Sequence, residues 1–430
     1  MFAAKSPNRY ILPFLLLALS EGLIPLERAH AEAMSRMDAI RLVVERNPQV
    51  EAARNAYEAV RAQARQAGAL PDPELELEFE EVPALGSLGH YGERTIELSQ
   101  RVELPLKWWH RLQAGRQHAE ATRLAVFEMT KFDITLQAKQ AYDRIALQKS
   151  LLQHAQQDLD LAQHILRQAD IRFAAGDVPQ LDVMRASVEV GRATNRLTAA
   201  KNDLSLAKTA LNALLARPLQ TPFEIADSLV YQPFATDLNQ LTEAALKQRP
   251  DLAGTELQLK ALQSQQAAAT AAYWPDLNVG LGRQRRHEAG GHEEDSWQVR
   301  FGLELPLWAF SRQRGERAEA KAEVAKVAAE RDAVRYQVLL ETEQAYLDLK
   351  TAEEQVVLFQ GQILPEAKRA FEVAGRSYDE GKLTYLELLE TQRTWIETQI
   401  EYAHALFAYR AATAALEWAI AGPLSANSGE

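Results

Sequence analysis

Glu387 and Glu390 lie three residues apart, just past a glycine turn in the stretch SYDEGKLTYLELLE, and a related stretch, RFAAGDVPQLDVM, carries Asp182 at the matching place. A spacing of three puts both glutamates on one face of a helix. Carboxylates held together repel one another and attract cations. A unit-charge interaction at about 4 Å is worth about 1 kcal/mol in water and more where water is restricted. Around a narrow opening, such groups would favour cations and respond to pH. The plainer reading is a solvated helix face, because Arg393 follows Glu390 by three and Arg185 follows Asp182 by three, placed for ordinary ion pairs.

A second cluster, His287, Glu288, His292, Glu293, Glu294 and Asp295, offers imidazole and carboxylate groups that can ligate metals. Its HEAGGH core has the wrong spacing for the zinc-protease motif and sits in a glycine-rich loop. The preferred reading is therefore an exposed polar loop, with His287 and His292 as weak metal candidates. His110, His118, His154 and His164 are scattered along helical stretches and read as surface residues. No phosphate-cradling loop, dinucleotide fingerprint or nucleophile elbow appears. The chain has 0 cysteines, which removes thiol nucleophiles, cysteine-based zinc sites, disulfides and a lipid anchor built on cysteine. Neither an enzyme nor a cofactor is expected. With 48 Lys plus Arg against 59 Asp plus Glu, the net charge of -11 argues against nucleic acid as a partner.

The elements that hold these residues follow from composition and repetition. Only 20 Gly and 17 Pro occur in 430 residues, and long stretches are rich in Ala, Leu, Gln, Glu, Lys and Arg, the make-up of long helices. At the amino terminus, Lys5 and Arg9 precede an apolar run from Tyr10 to Leu19, and Ala29-His30-Ala31 offers a cleavage site; residues 1–31 read as a secretory signal. The apolar run is about half of the roughly 20 residues a spanning helix needs, and no later uncharged segment reaches that length. The rest is duplicated with an offset of about 200 residues. Pro48 aligns with Pro250, Pro71 with Pro275, Pro105 with Pro306, Tyr142 with Tyr346, Gly176 with Gly381 and Asp182 with Glu387.

Each copy reads helix, strand, loop, strand, very long helix, turn, helix. Repeat 1 spans 32–216 with a hairpin at 74–104 and a long helix over 107–175. Repeat 2 spans 240–421 with a hairpin at 276–305 and a long helix over 311–378. Residues 217–239, with Pro218, Pro222 and Pro233, form a linker, and 422–430 form a flexible tail. Ser35 and Asp38 open a helix expected to run to about Ala69, ahead of Pro71 and Pro73. The long helices would each extend about 100 Å; Gly361 to Pro365 is the expected kink in the second. Gly176 and Gly381 allow the positive φ that ends a helix and reverses the chain.

The hairpins alternate strictly. Leu75, Leu77 and Phe79 oppose Glu74, Glu76, Glu78 and Glu80, and a strand expected from Thr95 to Leu104 repeats the pattern. Trp297, Val299, Phe301, Leu303 and Leu305 oppose Gln298, Arg300, Gly302 and Glu304, and Leu277, Val279 and Leu281 mark the fourth strand. In a soluble α+β protein the apolar face packs under the chain's own helices, which would make this a periplasmic coiled-coil scaffold. In a bilayer-embedded barrel it meets lipid, with Leu75, Leu77, Phe79, Trp297, Val299 and Phe301 facing hydrocarbon and Trp108 and Trp109 near a boundary. Four strands cannot close alone and a bilayer forbids open edges, so the barrel requires several copies. Three copies supply twelve strands and leave a pore.

Signal, twofold repeat, one hairpin per repeat and a long helix after each hairpin together resemble the TolC outer-membrane efflux factors over essentially the whole mature chain. LPDPELELEFEEV and ERTIELSQRVELP are similar to the heavy-metal branch, of the cobalt-zinc-cadmium and copper-silver type. The resemblance implies a mainly α fold with a small β part: a homotrimer with a 12-stranded transmembrane β-barrel in outer-membrane lipid, and an α-helical tunnel across the periplasm of a Gram-negative bacterium. It implies a passive duct docked to a periplasmic adaptor and an inner-membrane resistance-nodulation-division transporter, exporting heavy-metal cations; drugs, organic solutes or type I secretion are the other cargoes of such ducts. By the same resemblance, Arg172, Gly176, Val178, Leu181, Tyr378, Gly381, Leu383 and Leu386 meet the adaptor, and Asp182, Glu387 and Glu390 line a gate on the threefold axis. Two features depart from the family: no cysteine follows the signal for lipid attachment, and glutamates replace the Asp-x-x-Asp gate pair.

Overall fold

A computed structural model describes residues 33–82, 91–234, 237–287, 293–305 and 311–424. The expected signal, residues 1–31, lies outside them, as do His292 and the tail from 425 onward. Repeat 1 begins with β1 (Ala33–Met34), α1 (Arg36–Arg46) and α2 (Pro48–Ala67), continues through β2 (Glu74–Glu80) and β3 (Glu93–Val102), and ends with α3 (Pro105–Thr122), a π-helical segment (Arg123–Glu128), α4 (Met129–Ala174) and α5 (Gln180–Leu214). After β4 (Glu224–Ile225), repeat 2 runs α6 (Leu238–Gln248), α7 (Pro250–Ala271), β5 (Asp276–His287), β6 (Glu293–Glu304), α8 (Arg312–Leu358), a second π-helical segment (Phe359–Ile363), α9 (Leu364–Asp379) and α10 (Tyr385–Ala419).

The aligned prolines explain the first difference from expectation. The helix foreseen from Ser35 to Ala69 is two helices: Ser35 caps α1, and Asn47 ends it and caps α2, whose first residue is Pro48. Proline lacks the N–H a continuing helix needs but suits a first helical turn. Arg249 and Pro250 divide α6 from α7 in the same way. The strand expected over Thr95–Leu104 is displaced to Glu93–Val102, because Leu104 already precedes the first helical residue, Pro105.

The long helices pass through π-helical turns rather than stopping. The turn at Phe359–Ile363 falls on the expected kink. The turn at Arg123–Glu128 was not foreseen; a Cβ on Gly254 of α7 would stand 2.7 Å from the Ala125 Cβ and 2.9 Å from its backbone nitrogen, so the bulge sits where two helices nearly touch. Small residues line the other seams too, among them Ala138, Ala162, Ala169, Ala186 and Ala193, all buried. This lets long helices pack over their length without one wide apolar stripe.

The segment joining the repeats is held rather than loose. β4 pairs in parallel with β1, Phe223 and Ile225 are buried with α1, α4 and α5, and the Tyr142 hydroxyl donates to the Met34 carbonyl at 2.8 Å. Burial pushes that hydroxyl up to about 12. The Tyr409 hydroxyl, likewise pushed up to about 12 by burial, donates to the Gln232 carbonyl and ties the same segment to α10. The four hairpin strands form one antiparallel sheet in the order β2-β3-β5-β6. No helix among the described residues is long and apolar enough to cross a membrane.

Candidate functional site

At the helical end, α4 and α9 both finish in the motif that two glycines make possible. Gly176 has φ +84° and Gly381 φ +73°. Asp177 N–H donates to the Arg172 carbonyl at 2.9 Å, and Lys382 N–H to the Ser377 carbonyl at 2.8 Å, satisfying carbonyls that a helix end leaves free. The two tip turns are bound to each other. Arg172 donates to the Tyr378 carbonyl at 3.0 Å, and its guanidinium lies 4.8 Å from the Tyr378 ring centre. Tyr378 is buried with Tyr385, Leu388 and Leu389, its hydroxyl raised by burial and without a hydrogen-bond partner in the described structure.

One of the residues expected to meet an adaptor, Tyr378, lies inside the chain, and two others, Arg172 and Leu383, are half-buried. Tyr378 is an internal packing residue, Arg172 bonds the Tyr378 carbonyl, and Leu383 packs on one side against the same cluster. Gly176, Leu181, Gly381 and Leu386 are exposed, and Val178 is half-buried.

The acidic trio separates into three environments. Glu387 is the third residue of a capping box: its carboxylate accepts from the Thr384 hydroxyl at 2.6 Å and the Thr384 N–H at 2.9 Å, and these bonds hold its carboxyl below the usual range. Asp182 stands 3.7 Å from Arg185, the pairing anticipated from their spacing. Glu390 is exposed, and Arg393 does not take it as partner; Arg393 instead reaches across to Glu189 of α5 at 2.8 Å. Glu189, at 4 % exposure, also accepts from Arg196 at 2.9 Å, and Arg196 bonds Asp158 of α4 at 2.6 Å. This chain of charges joins α4, α5 and α10. Sequence spacing does not reveal it, because its partners are up to 204 residues apart. The Tyr385 hydroxyl beside it is pushed up to about 12 by burial, with Glu189 adding to the shift.

At the other end, the sheet keeps the alternation of its sequence. On one face Glu97 is buried at 4 % exposure, and Arg300 reaches it across β5 at 2.9 Å. Gly280 and Gly282 lie beneath, where a Cβ on Gly280 would collide with the Glu97 carboxylate. Glycine inside a strand signals such a close approach. Glu97 stands directly opposite Glu76, so Arg300 also relieves a like-charge contact. The opposite face is bare: Phe301 is 72 % exposed, Trp297 71 % and Leu75 62 %, with Leu77, Val299 and Leu303 also exposed. Phe79 departs from the rest, half-buried against the Tyr91 ring at 5.7 Å. Trp108 donates to the Gly68 carbonyl at 2.8 Å, whereas Trp109 is exposed.

An apolar face this extensive, uncovered by any described helix of the same chain, marks a surface made for lipid or a partner. No group of three or more potential metal-ligating residues occurs among the described residues; His287 ends β5 and His292 is outside them.

The family model described as outer membrane efflux protein matches residues 39–217 and 241–422. The cobalt-zinc-cadmium resistance protein CzcC of Cupriavidus metallidurans is 26 % identical over 379 residues, covering 87 % of this chain and 87 % of that protein. The pyoverdine export outer membrane protein OpmQ of Pseudomonas aeruginosa is 27 % identical over 302 residues, 68 % of this chain and 62 % of that protein. Among solved structures, the Campylobacter jejuni CmeC outer membrane channel superposes with a TM-score of 0.75 at 17 % identity, covering 99 % of this chain and 96 % of that one.

Proposed function

The chain belongs to the outer membrane efflux protein family, a family of channels rather than enzymes, and we propose that three copies of it form the passive outer-membrane duct of a tripartite pump whose cargo is heavy-metal cations. The observation that carries this reading is the exposed apolar face of a sheet whose edge strands, β2 and β6, are each paired on one side only among the described residues. Joining β6 of one copy to β2 of the next keeps the antiparallel alternation and closes twelve strands, which leaves no edge in the bilayer. Glu97, Arg300 and the β2 glutamates then line the lumen, and Leu75, Leu77, Phe79, Trp297, Val299 and Phe301 meet hydrocarbon. The helices continue the duct into the periplasm, where the tip turns meet an adaptor bound to an inner-membrane transporter of the resistance-nodulation-division class.

Asp182, Glu387 and Glu390 are proposed to ring the narrow end, with Glu390 the group whose carboxylate is free to face a passing ion. Metal cargo is supported by the similarity to a cobalt-zinc-cadmium resistance protein along most of both chains. The shorter match to a pyoverdine exporter favours an organic cargo as the second reading. Growth of a deletion strain on zinc, cobalt, cadmium and copper, beside a panel of dyes and siderophores, decides between them. Sensitivity confined to the metals is expected, and sensitivity confined to the organic panel overturns the metal cargo. Recovery as a soluble monomer, with no heat-sensitive trimer in the outer-membrane fraction and no conductance in planar bilayers, would defeat the duct itself.

A further inference from the structure

Beyond the apolar band, the outward face of the sheet changes character within one residue pair. Strands β5 and β6 run from the helices toward a far end at His287 and Glu293, and the apolar side chains Leu277, Val279 and Leu281 give way there to Arg283 and Arg285. Arg283 lies opposite Trp297, and Arg285 stands opposite both Asp295 on β6 and Arg94 on β3. All these positions share the lipid-facing parity, so three guanidiniums sit about 7 Å or more along the strand from Leu281. Asp295 bonds Arg283 at 2.7 Å and Arg285 at 3.0 Å, with Glu293 3.6 Å from Arg285. Arg94 lies over the Tyr91 ring at 5.4 Å and has no carboxylate partner among the described residues. Each guanidinium has five donors, so the shared carboxylate fixes Arg283 and Arg285 without exhausting them.

We propose that Arg94, Arg283 and Arg285 form a rim site that holds the phosphate of an outer-leaflet glycolipid, one per protomer, with its acyl chains against Ile96, Leu281 and Val299. Guanidinium forks match phosphate oxygens in paired hydrogen bonds. The depth fits as well: the arginines lie where an apolar band ends and a tryptophan marks the interface, the level at which a phosphorylated lipid carries its charge. The far end of the sheet, opposite the periplasmic helices, faces the outer leaflet, whose acylated sugar lipid bears phosphates. This site rests on the reading that the exposed sheet face meets lipid.

The test uses the full-length trimer in detergent, offered equal amounts of bis-phosphorylated lipid A and its dephosphorylated form, with retained lipid read by native mass spectrometry. Up to three phosphorylated lipids per trimer and a preference of about tenfold are expected, with no competition from millimolar inorganic phosphate. The variant R94Q/R283Q/R285Q should lose that preference while still inserting into phosphatidylethanolamine vesicles. Equal retention of the two lipids by the unmodified protein overturns the rim site and leaves the lipid-facing reading standing. Displacement by inorganic phosphate alone also overturns it, since the site would then bind free anions rather than a lipid. Failure of the unmodified protein to enter phosphatidylethanolamine vesicles overturns the lipid-facing reading and the site with it. Because the comparison of two lipids needs no variant, it holds even where the triple substitution does not fold.

Discussion

Glu189 has two arginines within 2.9 Å, one from its own helix and one from α10. Burial alone would raise its carboxyl, yet the bonds from Arg393 and Arg196 outweigh burial and hold it below the ordinary value of 4.5. A carboxyl lowered on folding contributes stability that is present above its unfolded pKa and is lost as pH falls through the folded one. The tip should therefore hold at neutral pH and loosen on acidification below about 4.5. Replacing Arg393 by Ala removes the link between α5 and α10 but leaves Arg196. With the Arg393 side chain 45 % exposed, the expected loss is about 1 kcal/mol, with acid dissociation of the trimer moved to higher pH. An unchanged acid profile would show that the link carries no load. Glu390 and Glu387 make a second contrast. Glu390→Gln should weaken block of single-channel conductance by divalent cations; Glu387→Gln, which keeps an acceptor for the Thr384 cap, should change it less. Equal effects from the two would show that the Thr384 cap does not withdraw the Glu387 carboxylate from a passing ion.

Elements were readable where their causes are local. Strict alternation fixed which face of β2, β5 and β6 is apolar, because side chains of a strand must point to opposite sides. Gly176 and Gly381 announced both turns, because few other residues accept positive φ. The π-helical turn at Arg123–Glu128 was not readable: what accompanies it is Gly254, about 130 residues away in sequence, and no motif in the turn itself points there. Arg393 eluded spacing for the same reason, since a neighbour three residues away on its own helix competed with a buried carboxylate across the bundle and lost. Tyr378 looked like a surface contact because a tip turn invites that reading, yet the two turns bury it between them. Gly254→Val tests the helix contact. The added side chain would have to push α7 away from the Ala125 backbone, costing about 1–3 kcal/mol and lowering the trimer's thermal midpoint. No change in that midpoint would mean that the bulge absorbs the insertion.

For the molecule as a whole, one parity rule along β6 governs whether the chain can sit in a bilayer. Val299 and Gln298 are consecutive residues on opposite faces: Val299 is 61 % exposed on the apolar side, while Gln298 donates to Gln284 at 2.6 Å on the polar side. The same new charge at the two positions must have opposite fates if the assembly is a barrel. Arginine in place of Val299, which pairs with Leu281 one residue pair inside the arginine rim, meets hydrocarbon and should cost about 1–2 kcal/mol per chain, between the interface and midplane values. Three chains share that penalty in one ring, so little trimer should reach the outer-membrane fraction. Arginine in place of Gln298 enters a water-filled lumen, where it loses one side-chain hydrogen bond and adds a cation beside the β2 glutamates of a neighbouring copy. Trimer yield should stay near normal while single-channel conductance for cations falls. Quantifying both variants in the outer-membrane fraction, unheated and heated, checks the pair in one experiment. If Val299→Arg assembles as well as Gln298→Arg, the apolar face does not meet lipid, and the sheet must be covered by protein instead.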